Sequence, residues 1–405
     1  MGDTVVYVIE RRSEEFYVRM GGDSGFVLQP HHLKHLEGCL VVCDLREHGL
    51  ELIVEFFHKN GVAFTVQAYR LNIYSIKSSG VIIKCSSALG FSAGNLLREA
   101  RDLDLIARRF CGVSLKGAGL ISIGSIAARI LRRLCPEIIE CEHDGDDGLF
   151  RSSLIGGLNV TTSSGYFRDV NYFDFPSMYG NIMTEEFFWG YERASGDLRR
   201  GDFARVRFVK SCAGFEKFWF ADPDFDANVF FFEAELSWFR ERGGEFYVTE
   251  LWRPKSSGAV LKKAALGLMD MRRCGATIAK IALNGVFGRL GLKQSRSKTK
   301  LVMDFDVCET LSSGARFKFI KNVGLVEQEC GDVYNPKKNL LVAAQIAAHG
   351  RIKLRDAAVK IESIGGVVLA LRTDAVFYTG PKCPEYFQKT IEGVTEILEN
   401  QNIEA

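Results

Sequence analysis

Tyr172-Phe173-Asp174-Phe175-Pro176-Ser177-Met178-Tyr179 is the stretch on which the reading of this chain turns. An aromatic run of strand character closes on a carboxylate, and a short turn carries a further aromatic just beyond it. A carboxylate at a strand end projects into a cleft. Mg²⁺ is typically held by one or two carboxylates together with substrate phosphates, so this position suits a hard cation. Alone, the segment also reads as an ordinary strand-end turn. Two clusters further along the chain give it weight.

The first is Lys280-Ile281-Ala282-Leu283-Asn284-Gly285-Val286-Phe287-Gly288. The apolar spacing of Leu261, Leu266, Met269, Ile278 and Ile281 predicts one long helix over Val260–Phe287. Lys280 and Asn284, four residues apart, then share a face, and Phe287 joins it. Gly288 and Gly291 end the helix. On a continuous helix Arg273 lies two turns before Lys280 on the same side. A cation for phosphate, an amide and a ring are a fitting set for a nucleotide. The second cluster is Arg372-Thr373-Asp374, between the apolar runs Val367–Leu371 and Ala375–Tyr378, which reads as a hairpin holding a carboxylate at its tip. Each cluster alone is an amphipathic helix or a plain turn. In this order they outline a site in which Asp174 and Asp374 share two Mg²⁺ ions, held about 3.5–4 Å apart in enzymes that transfer phosphoryl groups.

Outward from these clusters, Arg151–Gly157 contains the pair Gly156-Gly157 before the strand-like Leu158–Thr162. Residues 300–330 read as strands, and 337–361 as a long alanine-rich helix carrying Arg351, Lys353 and Arg355. Toward the N-terminus, Val5–Ile9, Phe26–Leu28, Cys39–Asp44, Leu52–Phe57, Ala63–Tyr69 and Gly80–Cys85 read as strands. Helices are predicted over 92–111 and over Ser122–Cys135, the latter stopped by Pro136. The acidic, glycine-containing run Glu140–Asp147 reads as a loop at a domain boundary.

The bulk properties fit a globular chain of two or three domains: 405 residues, 47% hydrophobic and 25% charged. A net charge of +2 neither demands nor excludes a nucleic-acid partner, because the useful charge is local. The 11 cysteines form no CxxC and have no zinc-ligand spacing, so a structural zinc is not expected. No secretory segment follows Met1 and no apolar run is long enough to span a bilayer. The expectation is an intracellular protein with reduced thiols and no membrane partner.

The three clusters resemble the motifs of family B DNA polymerases, in the protein-primed branch of linear plasmids and small viruses. That family shows D-x-x-S-L-Y-P, K-x-x-x-N-S-x-Y-G and D-T-D-S. Asp174, Ser177, Met178 and Tyr179 match the first, with Gly180 for proline. Lys280, Asn284, Phe287 and Gly288 match the second, with Gly285 for serine and Phe287 for tyrosine. Thr373 and Asp374 match the third, with Arg372 for the first aspartate and Ala375 for serine. Arg151–Gly157 is similar to the family's Y-x-G-G link, with Leu154 for tyrosine, and 232–248 and 339–355 are similar to its flanks. About residues 115–380 match in order.

The resemblance implies an α+β right-hand polymerase with an antiparallel palm sheet and helical fingers, preceded by a shortened, degenerate exonuclease-like α/β domain. The implied boundaries are 1–115 for that domain, 116–150 for a linker helix and acidic loop, 151–259 for the first part of the palm with an insertion, 260–292 for the fingers helix and 293–405 for the rest of the palm. It implies a DNA-directed DNA polymerase acting in protein-primed replication, with Asp174 and Asp374 as catalytic metal ligands. Lys280 would hold the incoming triphosphate, Tyr179 would sit under the deoxyribose, and Asn284, Phe287 and Arg273 would complete the nucleotide pocket. Gly156, Gly157 and Thr373 would contact template and primer. Implied partners are DNA template and primer, dNTPs, a terminal priming protein and a second chain supplying the thumb, which the family places after the palm. Asp44 and Glu47, with Arg46 in the glutamate position, are the nearest approach to an exonuclease motif, so proofreading is not expected. Arg372 and Ala375 depart from the family's third motif and keep open a second reading, a catalytically silent polymerase-like module that binds nucleic acid or scaffolds a replication complex.

Overall fold

The computed structural model describes residues 5–12, 15–20, 25–37, 39–43, 50–69, 71–91, 95–116, 120, 122–139, 156–210, 230–291, 295–303, 316–320, 322–332, 339–386 and 388–398. Asp44, Arg46, Glu47, the run Glu140–Asp147 and Leu154 lie outside them. The chain divides into two compact units, Met1–Pro136 with Leu266–Asn335, and Glu137–Ala265 with Pro336–Ala405.

The first unit is built on a seven-stranded sheet. Its order is Gly25–Val27, Glu15–Arg19, Val6–Arg12, Leu40–Cys43, Val81–Cys85, Asn72–Ser78, Thr65–Tyr69. The three central strands run parallel, and the flanking ones are antiparallel. The central strand, Leu-Val-Val-Cys, is buried at all four positions, the continuous apolar run expected of a strand covered on both faces. A three-stranded sheet, Ser295–Met303, Val323–Asp332 and Arg316–Ile320, adds Ile320, Val323 and Leu325 to the same core.

Two expectations from the sequence do not hold. Leu52–Phe57 is not a strand. It lies in the helix Glu51–Lys59, with Leu52, Ile53, Val54 and Phe57 all buried. A short apolar run has no period that separates strand from helix. The helix predicted over Val260–Phe287 is two helices, Lys262–Arg273 and Ile278–Gly291. Gly275 breaks it at φ +97°, in the left-handed region that glycine enters freely, and Arg98 donates to its carbonyl at 2.8 Å. Arg273 is therefore not on the helix of Lys280. It pairs with Asp270 at 2.8 Å. The helix Ile123–Leu134 begins as predicted: Ser122 and Ser125 bond reciprocally, each side chain accepting from the other's backbone N–H.

Lys84, in the central sheet, is fully buried and donates to the Leu120 carbonyl at 2.8 Å. Burial lowers its pKa to about 8. Between that value and the ordinary lysine range, the unfolded chain holds a proton that the folded chain has released. Stability therefore rises with pH across this window. Denaturant midpoints measured from pH 7 to pH 10.5 are expected to rise by the equivalent of roughly 3 kcal/mol more in the wild type than in Lys84→Met.

The second unit holds two sheets around one helix. A five-stranded antiparallel sheet runs Lys389–Ile397, Gly165–Asp174, Ala375–Thr379, Val367–Arg372, Asn159–Thr161, and a four-stranded antiparallel sheet runs Phe187–Ala194, Glu245–Gly258, Phe203–Lys210, Phe230–Phe232. The helix Leu340–Ser363 serves both. Leu340, Leu341, Ala344 and Ala348 pack on the four-stranded sheet, and Leu354, Ala357, Ala358 and Ile361 on the five-stranded one. A helix apolar on most sides is a buried helix, which explains why its pattern shows little amphipathic contrast. Leu354 is 0% exposed, and its truncation to alanine is worth about 2–5 kcal/mol at a site of this kind. Asn339 opens the helix by accepting from the Val342 N–H at 3.0 Å and donating to the Ile138 carbonyl at 3.0 Å. Among the described residues no helix is long and apolar enough to cross a membrane.

Candidate active site

Antiparallel pairing places the two carboxylates, far apart in the chain, at neighbouring positions. Asp174 ends its strand directly opposite Ala375. Asp374 precedes Ala375, and its carbonyl accepts from the Phe175 N–H at 2.9 Å. Val367–Arg372 and Ala375–Thr379 form the predicted hairpin, with Arg372 opposite Ala375. Its two-residue loop is Thr373-Asp374. Thr373 sits at φ +53° and its N–H donates to the Leu158 carbonyl at 2.8 Å, which fixes the tip. Ser177, at φ +51°, turns the chain from the Asp174 strand into the short helix Met178–Ile182. Two non-glycine residues in the left-handed region, one on each side of the carboxylates, are costly conformations of a sort that gather at functional sites.

Tyr179 is brought to the same place. A side chain on Gly157 would put Cβ 2.6 Å from the Tyr179 phenol oxygen and 3.1 Å from Thr373 Cγ2. Gly157 thus lets the backbone lie against both. Burial and the charge of Asp374 push the Tyr179 phenol up to about 12, with Arg351 opposing, so the hydroxyl keeps its proton at neutral pH. Gly157, Thr373, Asp374 and Tyr179 thereby lie close together.

Behind them is a buried ionic cluster that spacing along the chain does not reveal. Arg351 donates from Nε and Nη2 to the two carboxylate oxygens of Glu235, each at 3.0 Å, and from Nη1 to the Gly156 carbonyl at 3.1 Å. Arg355 Nη1 reaches Glu235 Oε1 at 3.4 Å. All three side chains are at most 2% exposed. Burial works to raise the Glu235 pKa, but the charges and hydrogen bonds of Arg351 and Arg355 outweigh it and hold the carboxyl below its ordinary value. Gly350 brings the helix backbone close to the Tyr179 turn. A Cβ there would lie 3.1 Å from Met178 Cε and 3.2 Å from Tyr179 Cε1. The signal in the sequence was Glu235 within the aromatic run Phe230–Phe239, a charge where only a buried partner would be tolerated.

Arg372, which replaces a carboxylate in the motif, is half-buried. Its Nη2 donates to Thr161 Oγ1 at 2.7 Å and Nη1 to the Leu371 carbonyl at 3.2 Å, and burial lowers its pKa. Asp174 is exposed, Asp374 half-buried. Asp174, at a strand end, and Asp374, in the hairpin loop, thus stand at neighbouring backbone positions, and carboxylate oxygens are the donor type that suits Mg²⁺, which leaves most of its coordination to water and phosphate. No group of three or more His, Cys, Asp or Glu side chains suited to an all-protein metal cage occurs among the described residues.

The remaining predicted residues belong to the first unit. Lys280 and Asn284 are exposed at i and i+4 on the helix Ile278–Gly291, and Phe287 is half-buried on it.

No protein-family sequence profile matches the chain and no curated protein sequence is detectably similar to it. Solved structures do match. Phi29 DNA polymerase in its post-translocation binary complex with primer-template DNA aligns with a TM-score of 0.60 and 12% identity, over 94% of this chain and 81% of that one. The same polymerase with primer-template DNA and incoming nucleotide substrates gives 0.58 and 13%, over 92% and 78%. With single-stranded DNA it gives 0.59 and 12%, over 94% and 81%. This chain therefore has a mixed α and β fold similar to that of phi29 DNA polymerase.

Proposed function

We propose that this chain is a DNA-directed DNA polymerase of the family B, protein-primed kind, with Asp174 and Asp374 as ligands of two Mg²⁺ ions. The observation that carries this reading is the meeting of Asp174, Asp374, Tyr179 and Gly157 at one end of an antiparallel sheet, in a chain with a polymerase-like fold. When bound, the ions supply charge stabilisation for the attacking 3′-hydroxyl and the departing pyrophosphate. The protein's own part in such a transfer is chiefly positioning. Asp174 and Asp374 bring anionic oxygens to the reacting phosphates. Tyr179, held protonated and packed on Gly157 and Thr373, presents a rigid wall to the sugar and rejects a 2′-hydroxyl. Thr373 and the Gly156-Gly157 backbone contact template and primer. By the motif resemblance Lys280 takes the triphosphate, with Asn284 and Phe287 in the nucleotide pocket. Arg273 keeps a peripheral place, because it starts from a separate helix and an ion pair with Asp270. DNA and dNTPs are the partners this reading requires, with a terminal protein as the primer of a protein-primed start.

Arg372 favours a second reading. A guanidinium beside Asp374 in the chain opposes cation binding, as in a polymerase-like module that holds nucleic acid without chemistry. Templated primer extension with Mg²⁺ separates the two. The polymerase reading expects incorporation of the complementary dNTP and rejection of the ribonucleotide. Absence of incorporation by a folded, DNA-binding chain would establish the silent module instead.

Gly157→Ala is expected to lower incorporation about a hundredfold, the effect of displacing a positioned group by roughly 1 Å. The added methyl meets the Tyr179 hydroxyl and the Thr373 side chain. Single-turnover primer extension with thermal melting of the same variant checks it, since melting should change little.

A further inference from the structure

We propose that the helix Ile123–Leu134, with the segments packed against it in the first unit, is a second nucleic-acid surface that grips the phosphate backbone through arginines of its own. Arg129, Arg132 and Arg133 stand at i, i+3 and i+4, on one face of that helix, and all three are exposed. They span about 6 Å of helix rise. Two more guanidinium groups join them. Arg289, half-buried on the helix Ile278–Gly291, is held below its ordinary pKa by burial and by the neighbouring charge of Arg132. Arg109 is exposed on the turn Ala107–Cys111, its guanidinium 5.3 Å from the Phe110 ring centre. That turn packs on the arginine helix: Arg133 covers Gly112, and Arg129 and Arg133 both act on the Cys111 thiol.

No carboxylate pairs with Arg109, Arg129, Arg132, Arg133 or Arg289 among the described residues. Asp104, the nearby buried acid, is committed to Arg108 at 2.8 Å, to the Ser114 hydroxyl at 2.7 Å and to the Leu115 N–H at 2.6 Å. Some exposed arginines elsewhere do have an acidic partner, as in Arg193–Glu250 and Arg200–Glu186. Five like charges gathered without counter-charge repel one another, and a polyanion offsets that cost.

The chemistry favours phosphate. All five are arginines, whose planar fork bonds a phosphate through two donors at once. A bilayer surface also calls for apolar side chains beside the cations, and no exposed large hydrophobic residue lies on this helix. Protein partners with acidic surfaces share the charge but not the regular spacing of phosphates.

Fluorescence anisotropy with a labelled single strand and a duplex of equal length, over a salt series in EDTA, tests the proposal on the full chain. Arg129→Ala/Arg132→Ala/Arg133→Ala should weaken binding to at least one of the two, and flatten the slope of log affinity against log salt by about 2–3, at roughly 0.7–0.9 for each phosphate no longer neutralised. The substrate whose affinity falls further identifies the form bound. The corresponding triple lysine variant should keep the slope. The slope is read without Mg²⁺ and without incorporation, so failure here and failure of the polymerase reading remain distinct. An unchanged slope in the folded alanine variant overturns the proposal, as does an equal drop in the lysine variant. Binding of anionic vesicles or an acidic peptide, abolished in the alanine variant while DNA binding persists, would overturn it too.

Discussion

Asp374→Asn is expected to reduce templated primer extension about a thousandfold or more, the rate equivalent of losing several kcal/mol of charge stabilisation, while the chain stays folded. The substitution preserves shape. Asp374 sits in a two-residue loop held by backbone bonds from Thr373 to Leu158 and from Phe175 to the Asp374 carbonyl, none of which needs the carboxylate. The amide keeps an oxygen but not the charge. It also removes the negative neighbour that helps to keep the Tyr179 phenol protonated, so that pKa falls toward its ordinary range without crossing neutrality. Single-turnover incorporation, with circular dichroism of wild type and variant, checks the prediction. Incorporation within tenfold of the wild type would remove Asp374 from the chemistry.

Glu235→Leu should be the most destabilising single change in the second unit, by about 3–5 kcal/mol. The side chain is a near match in volume, but it withdraws the one carboxylate that Arg351 and Arg355 both bond. Two guanidinium groups at 0–1% exposure cannot regain their hydration without opening the helix Leu340–Ser363 from its neighbours. The effect should reach the site as well, because Arg351 also donates to the Gly156 carbonyl beside Gly157. Replacing the whole cluster by apolar residues, Glu235→Leu with Arg351→Met and Arg355→Met, should recover much of the stability without recovering incorporation. Denaturant unfolding followed by fluorescence, with primer extension on the same samples, reads both. Destabilisation below about 1 kcal/mol, the size of an exposed ion pair, would show that the cluster matters little to the fold.

The carboxylates were legible because their signal is local and ordered. Asp174 closes an aromatic strand and Asp374 tips an apolar hairpin. Strand and turn alike are marked by alternation and turn chemistry within a few residues. Gly157 was legible as half of a glycine pair, though only the structure shows that its missing side chain makes room for Tyr179 and Thr373. Arg351 and Arg355 stand out in the sequence as cations spaced along a helix. Their burial depends on Glu235, more than a hundred residues earlier, and periodicity carries no information about such a partner. The helix over Leu52–Phe57 also escaped. The run Leu52–Phe57 covers fewer than two helical turns, and most of the polar stripe that marks the period, Glu51, Glu55, His58 and Lys59, lies outside it. The break at Gly275 was hidden because the helices on either side of it both bury apolar residues, so the pattern ran on while the backbone turned. Four strands of the five-stranded sheet followed from the runs read at Leu158–Thr162, at the Asp174 segment and in the hairpin, whereas Lys389–Ile397 went unread. The parallel centre of the first unit did not follow, since its pairings cross long stretches of chain.

Manganese binding is the most direct measurement of whether Asp174 and Asp374 act as one site. With primer-template DNA and a non-hydrolysable dNTP present, electron paramagnetic resonance of free Mn²⁺ counts the ions held. A shared site predicts two ions for the wild type, and at least one fewer in Asp174→Asn, in Asp374→Asn and in the double variant alike. The same count and affinity in all four proteins would contradict it.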